Sequence, residues 1–237
     1  IELRLVGGCI RNAVLKRDIT DIDFAANKEP DTIINVLKNN DIQYKDFAKR
    51  FGSIIAFLNH RKFEITSLRK DINQKGRNTE VIYTNDWHED AARRDFTMNA
   101  LYLTQQGEII DYFDGLKDLE DNRIKFIGLI EKRINEDFLR IFRYYRFLGL
   151  FEYPKIIDGY EKILNENFLK TFDYVSKELI RSEILKMLKN PFPLNSFANL
   201  SSPKKKTYWL KMTRQHFLDI NYKLGLDKCL NLVEKLF

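Results

Sequence analysis

A chain of 237 residues, 44% of them apolar, is long enough for one large domain or two modest ones around a packed core. Lys and Arg outnumber Asp and Glu by 40 to 34, and the resulting +6 suits a polyanionic partner as well as a plain basic surface. Two distant cysteines, Cys9 and Cys229, exclude a disulfide framework or cysteine-rich zinc site, and His60, His88 and His216 lack metal-ligand spacing. No apolar run approaches bilayer length and the first residues alternate like a strand rather than a signal peptide, so no membrane partner is expected. The expected compartment is cytoplasmic, or mitochondrial for a mature processed form.

Short β-like runs at residues 3–6, 22–25, 54–58, 63–68, 100–104 and 108–112 predict one sheet with helices on one side. Gln105-Gln106-Gly107 reads as a hairpin turn between the last two. The polar stretch 71–87, with Gly76 and Asn85, reads as a mobile loop. From about Asn135 the pattern takes a helical period, which Pro191 and Pro193 interrupt. The expected class is α+β, a head at 1–127 with a mixed or antiparallel sheet and helices. An all-helical neck at 128–190 and a helical body at 191–237 follow.

Three groups of residues point to chemistry, and a fourth forms a charged stripe. Gly7-Gly8 follows a strand and opens a helix, where bare backbone amides and the helix N-terminus favour a phosphate, with Arg11 a turn along. A tight turn relieved by glycine is the simpler alternative. Asp21-Ile22-Asp23 places two carboxylates on one face of a strand, a spacing that suits hard cations bridged to substrate phosphates. Acidic turns and helix caps produce the same tripeptide. Arg93-Arg94 precede a strand and fit triphosphate oxygens, or else pair with Glu89 or Asp90. Finally, Asp137, Arg140, Arg143 and Arg146 recur every three residues as a slowly drifting stripe opposite Phe138, Ile141, Phe142 and Tyr145, the pattern of an ordinary amphipathic helix.

Leu5 to Arg11, Asp21-Ile22-Asp23 and the run from Arg93 to Ala100 resemble motifs A and B of the class II CCA-adding tRNA nucleotidyltransferase and bacterial poly(A) polymerase family. Asp114-Gly115 is similar to its motif C, the run from Glu136 to Phe147 to its motif D, and residues 176–188 to a degenerate motif E. The resemblance spans roughly residues 3–188 and implies a polymerase β-like nucleotidyltransferase head with a helical neck. It implies Mg²⁺ on Asp21 and Asp23, and nucleotide binding by Gly7, Gly8, Arg11, Arg93 and Arg94. Asp137 and Arg140 would read the base of CTP or ATP, while Arg143 and Arg146 would reinforce that stripe or reach the phosphates. Glu64 sits where the superfamily often supplies a third carboxylate; a sheet-face acid paired with Lys62 or Arg69 is the alternative.

The implied reaction is template-independent CCA addition to the acceptor end of tRNA. The length of 69–93 resembles complete CCA-adding enzymes rather than CC-adding ones, so ATP addition is expected. A poly(A) polymerase and an inactive RNA-binding relative are the competing expectations. Asn12 departs from the family, which has Asp beside the motif A arginine. Lys204-Lys205-Lys206, with Tyr208 and Trp209, reads either as an RNA grip or as a solvated run beside core aromatics. Nothing in the sequence fixes the oligomeric state.

Overall fold

The computed structural model describes residues 1–75 and 78–198. The Lys204–Lys206 run, Tyr208, Trp209 and most of the expected body lie outside the described residues. In chain order the elements are β1 (Leu3–Val6), α1 (Gly8–Val14), β2 (Asp23–Ala26), α2 (Pro30–Asn39), β3 (Gln43–Lys45), β4 (Ser53–Leu58), β5 (Arg61–Ser67), β6 (Arg69–Lys75) and β7 (Asn78–Tyr83). There follow α3 (Trp87–Ala92), β8 (Leu101–Leu103), β9 (Ile109–Asp111), α4 (Gly115–Glu120), α5 (Ile130–Glu136), α6 (Leu139–Leu148), α7 (Tyr160–Asn167), α8 (Thr171–Tyr174), α9 (Lys177–Leu188) and α10 (Pro193–Ala198). Among the described residues two compact units result, one of residues 1–141 with 155–175, the other of 142–154 with 176–198.

In the first unit seven strands form a mixed sheet in the order β3-β4-β5-β2-β1-β8-β9. Only β2 and β5 run parallel, with Asp23 opposite Glu64 and Ala25 opposite Thr66. Side chains alternate along a strand, and β2 shows the consequence. Ala26 packs with Ile33, Ile34 and Leu37 of α2, together with Ile54 and Ile65, whereas Ala25 packs with Trp87 and Ala91 of α3, Val6 and Tyr102. Helices therefore cover both faces of the sheet, not one as the strand pattern alone implied. Asp23 shares the face of Ala25, under α3. Pro at the first turn of α2 presets its backbone, and the spacing of its apolar residues gives it one buried face.

The stretch read as a mobile loop is an antiparallel hairpin, β6 against β7, with Arg69 opposite Tyr83 and Asp71 opposite Val81. Its polarity hid it. Lys70, Glu80 and Ile82 are exposed while Arg69, Asp71, Val81 and Tyr83 are half-covered, so no clean apolar alternation marks the strands. Beyond it, the Asp86 carboxylate caps α3 by accepting from the amides of His88 (2.8 Å) and Glu89 (3.4 Å). From Gly115 onward every regular element among the described residues is a helix.

The second unit is tied through α6 and α9. Arg146 pairs with the buried Glu183 at 2.7 Å, and its guanidinium lies 4.2 Å from the Phe147 ring centre. Asn190 and Asn195 donate to the carbonyls of Arg146 (2.5 Å) and Phe151 (2.6 Å), which satisfies backbone acceptors where helices end.

Candidate active site

Asp21, Asp23 and Glu64 line one cleft of about 650 Å³ together with Arg61, Lys62 and Phe63. β2 begins at Asp23, so Asp21 stands just before the strand and not on it; what places it is the short segment whose Ile22 carbonyl accepts from the Glu64 amide at 3.3 Å. Asp21 accepts from Thr20 Oγ1 at 3.1 Å. Among the described residues the Asp23 and Glu64 carboxylates have neither a hydrogen-bond nor an ion-pair partner, although parallel pairing sets their backbones side by side. Burial, then Glu64, then Asp21 push the Asp23 carboxyl up from its ordinary value, against the pull of Arg94 and Lys62.

No three His, Cys, Asp or Glu side chains among the described residues close into a metal cage. The donor set nevertheless fits a hard divalent cation. Magnesium is held by one or two carboxylates plus substrate phosphates rather than by an all-protein cage, and a cation would relieve the repulsion that raises Asp23.

The glycine turn is strained in the way that requires glycine. Gly7 has φ of 79°, and its amide donates to the Leu101 carbonyl at 3.2 Å, which anchors the start of α1 to β8. Arg11 is aimed by two amides. Its Nη1 donates to Asn99 Oδ1 at 2.5 Å, and its Nη2 and Nε donate to Asn12 Oδ1 at 3.0 and 3.2 Å. Asn99 in turn donates to Asp95 Oδ1 at 3.0 Å. The Asn at position 12 thus still holds Arg11, through a neutral acceptor.

Arg93 and Arg94 are built around a buried carboxylate. Asp90, 1% exposed, accepts from Arg93 Nε (2.8 Å), Arg94 Nη2 (3.0 Å) and the Tyr102 hydroxyl (2.7 Å), and Tyr102 accepts from Arg94 Nε at 3.2 Å. Burial works against ionisation of Asp90, yet Arg94 and Arg93 outweigh it and hold the carboxyl well below the usual range. The pairing with Asp90 is therefore present, but buried. It aims the arginines over the sheet face that carries Asp23. Motif C packs against the same segment: Thr97 Oγ1 donates to Asp118 Oδ2 at 2.6 Å, and a Cβ at Gly115 would sit 2.4 Å from the Thr97 carbonyl oxygen.

On α6 the stripe divides. Asp137 caps the helix by accepting from the Leu139 amide at 2.9 Å. Arg140 is buried and donates through Nη1 to Glu136 Oε2 at 2.6 Å. Arg143 lies 5.8 Å from the Phe147 ring centre, and Arg146 pairs with Glu183 as above. The described structure thus gathers Asp21, Asp23 and Glu64 at one cleft and Gly7, Arg11, Arg93 and Arg94 around β1, β8 and the end of α3. Sequence reasoning missed Arg133 and Tyr102. Neither carries a local signal beyond an Arg three residues before Glu136.

A mixed sheet with paired carboxylates on its central strands and arginines above the same face is the architecture of a polymerase head domain. The chain belongs to the poly A polymerase head domain family, whose model matches residues 3–125. It is 40% identical over 149 residues to human CCA tRNA nucleotidyltransferase 1, mitochondrial, a match covering 62% of this chain and 34% of the human protein. It is 31% identical over 222 residues to the CCA-adding enzyme of Staphylococcus aureus (strain MRSA252), covering 93% of this chain and 53% of that protein. Its fold is similar to the crystal structure of the Bacillus stearothermophilus CCA-adding enzyme in complex with CTP, with a TM-score of 0.74 and 27% identity over 84% of this chain and 47% of that one. The chain thus spans about half, or less, of the length of these relatives. Among the described residues no helix is long and apolar enough to cross a membrane.

Proposed function

We propose that this chain adds CMP and AMP residues to the 3′ end of tRNA, using CTP and ATP without a nucleic-acid template and releasing pyrophosphate. The observation that carries the reading is the unpartnered Asp23–Glu64 register pair, sharing a cleft with Asp21 under arginines already held in place. Asp21 and Asp23 hold Mg²⁺, and Glu64 assists removal of the proton from the attacking 3′ hydroxyl. When bound, magnesium supplies charge neutralisation at the phosphoryl oxygens and lowers the pKa of the attacking hydroxyl. The Gly7-Gly8 backbone, Arg11, Arg93 and Arg94 orient the triphosphate for in-line attack on its α-phosphorus. Asp137 and Arg140 present hydrogen bonds to the base edge in place of a template, with Arg143 and Arg146 supporting the stripe.

Relatives named CCA-adding enzymes support the substrate assignment, as does a long segment between Glu64 and the arginines, here the β6–β7 hairpin and α3. RNA contacts should fall mainly on phosphates and acceptor shape, since one enzyme meets many tRNA sequences. The proposed compartment is cytoplasmic, with a mitochondrial mature form the alternative that the mitochondrial relatives raise.

The family description also covers poly A polymerases, which makes AMP tailing the second reading. A tRNA transcript lacking CCA, incubated with Mg²⁺ and labelled CTP and ATP, separates the two. Two C residues followed by one A are expected. Long tails from ATP alone would replace CCA addition with the poly(A) reading, and no incorporation of either would leave an RNA-binding relative.

A further inference from the structure

Arg133, on α5, is buried, 7% exposed, and none of the roles above uses it. Its Nη2 donates to two backbone carbonyls at the end of α3, that of Arg93 at 2.6 Å and that of Arg94. Its Nη1 donates to Glu136 Oε2 at 2.6 Å. The same oxygen accepts from Arg140 Nη1 at 2.6 Å, and Arg140 Nη1 also donates to the Arg133 carbonyl at 2.8 Å. One guanidinium therefore grips the backbone of the arginine turn and, through a single shared carboxylate oxygen, the first turn of α6.

The chemistry needs an arginine. Three acceptors at two ends of one plane match the rigid fork of a guanidinium, whereas an ammonium on a flexible stem cannot span them without bending away from one. The grip also falls at a helix C-terminus, where unpaired carbonyls and the negative end of the helix dipole attract a cation. Asp90 fixes the side chains of Arg93 and Arg94; Arg133 fixes the peptide groups that carry them. Burial and the adjacent Arg140 draw the Arg133 guanidinium below its ordinary pKa, with Glu136 opposing.

We propose that Arg133 is a positioning residue that couples the triphosphate-binding turn at Arg93–Arg94 to the base-reading residues Asp137 and Arg140, so that phosphate and base are registered by one buried brace. This rests on the functional reading above. A shift of the turn drags Glu136 and Arg140 with it, and a base edge that displaces Arg140 is felt at the triphosphate.

The test compares the full chain with Arg133→Lys and Glu136→Gln. With tRNA lacking its CCA end, Arg133→Lys should raise KM for both CTP and ATP about tenfold and increase UTP and GTP incorporation relative to CTP and ATP. A purely structural defect lowers the active fraction, which reduces kcat while KM and nucleotide choice stay put. That pattern in folded protein overturns the proposal. Amide hydrogen exchange on the same variants gives a readout independent of catalysis: faster exchange both at residues 93–97 and in the first turn of α6 supports the brace, and a change confined to α5 overturns it. Failure of the wild-type chain to incorporate any nucleotide would strike the functional reading alone, because exchange still decides the coupling. Glu136→Gln, which keeps the side-chain size, must reproduce the exchange pattern if Arg133→Lys does not fold; wild-type exchange in it counts against the brace.

Discussion

The carboxylate cleft and the arginine turn lie on the same face of one sheet, yet they are built on opposite principles. In the cleft, Asp21, Asp23 and Glu64 crowd together, and among the described residues the two carboxylates in strand register form no ion pair, with Arg94 and Lys62 acting on Asp23 only at a distance. At the turn every arginine is paired, and each carboxylate serves two guanidiniums: Asp90 those of Arg93 and Arg94, Glu136 those of Arg133 and Arg140. Surplus like charge is what a cation relieves. A triphosphate instead needs a fixed array of donors, and a buried anion fixes arginines while leaving further N–H groups of their forks for phosphate. The two regions should therefore respond in opposite senses when a charge is removed.

The largest effect is expected at Asp23. Asp23→Asn should lower nucleotide incorporation on the order of 10³-fold, because the proposed metal site would lose one of its negative charges. Stability should move the other way. With the folded pKa of Asp23 raised by burial and by Glu64 and Asp21, the folded state binds its proton more tightly than the unfolded chain does. In metal-free buffer this residue thus subtracts stability as pH climbs from the ordinary carboxylate value through the raised one. Thermal melts in EDTA at neutral pH should find Asp23→Asn at least as stable as the wild type, and a clear drop in Tm would mean that Asp23 has a structural partner.

Asp90 should show the reverse. Asp90→Ala leaves Arg93 and Arg94 buried without their shared anion, for an expected loss of about 3–5 kcal/mol in urea unfolding. Its carboxyl is depressed in the folded state, so its contribution is fully present above the ordinary carboxylate pKa. That contribution fades as pH falls below this value toward the depressed one. Wild type and Asp90→Ala should accordingly converge in acid, and a gap between them that stayed constant from pH 7 to pH 3 would contradict the charge-based account.

The contrast also explains what was legible in the sequence. The part of the cleft that was legible carries a local signal, Asp21-Ile-Asp23, two carboxylates within three residues, whereas Glu64 entered only through the resemblance and its place opposite Asp23 comes from strand pairing. Tyr102 and Arg133 were not legible. Tyr102 reads as one more apolar strand residue, and Arg133 reaches the carbonyls of Arg93 and Arg94 from 40 and 39 positions away. The hairpin at Arg69–Tyr83 was read as loop because half-exposed strands carry mixed residues on both faces. The two-sided helix cover was equally hidden, since Ala25 and Ala26 differ only in which way the pleat points them. Local chemistry survives translation into one dimension; long-range pairing does not.

The smallest expected effect lies where the two principles meet, at Arg11, a cation beside the glycine turn that donates to two neutral amide oxygens, those of Asn12 and Asn99. Asn12→Asp would strengthen the bond that Arg11 makes at 3.0 Å by giving it a charged acceptor. It would also remove the donor that Asn12 Nδ2 offers to the Asp18 carbonyl at 3.1 Å. The gain and the loss are each about 1 kcal/mol, so stability should change by less than about 1 kcal/mol. Nucleotide binding should feel the change more. On the proposed reading a carboxylate beside Arg11 would neutralise part of the charge offered to the triphosphate, so KM for ATP should rise by about threefold at low salt, with the difference shrinking as salt screens it. Steady-state kinetics at 50 and 300 mM salt would check this, and a KM that fell in Asn12→Asp would show that Arg11 is limited by its aim and not by its charge.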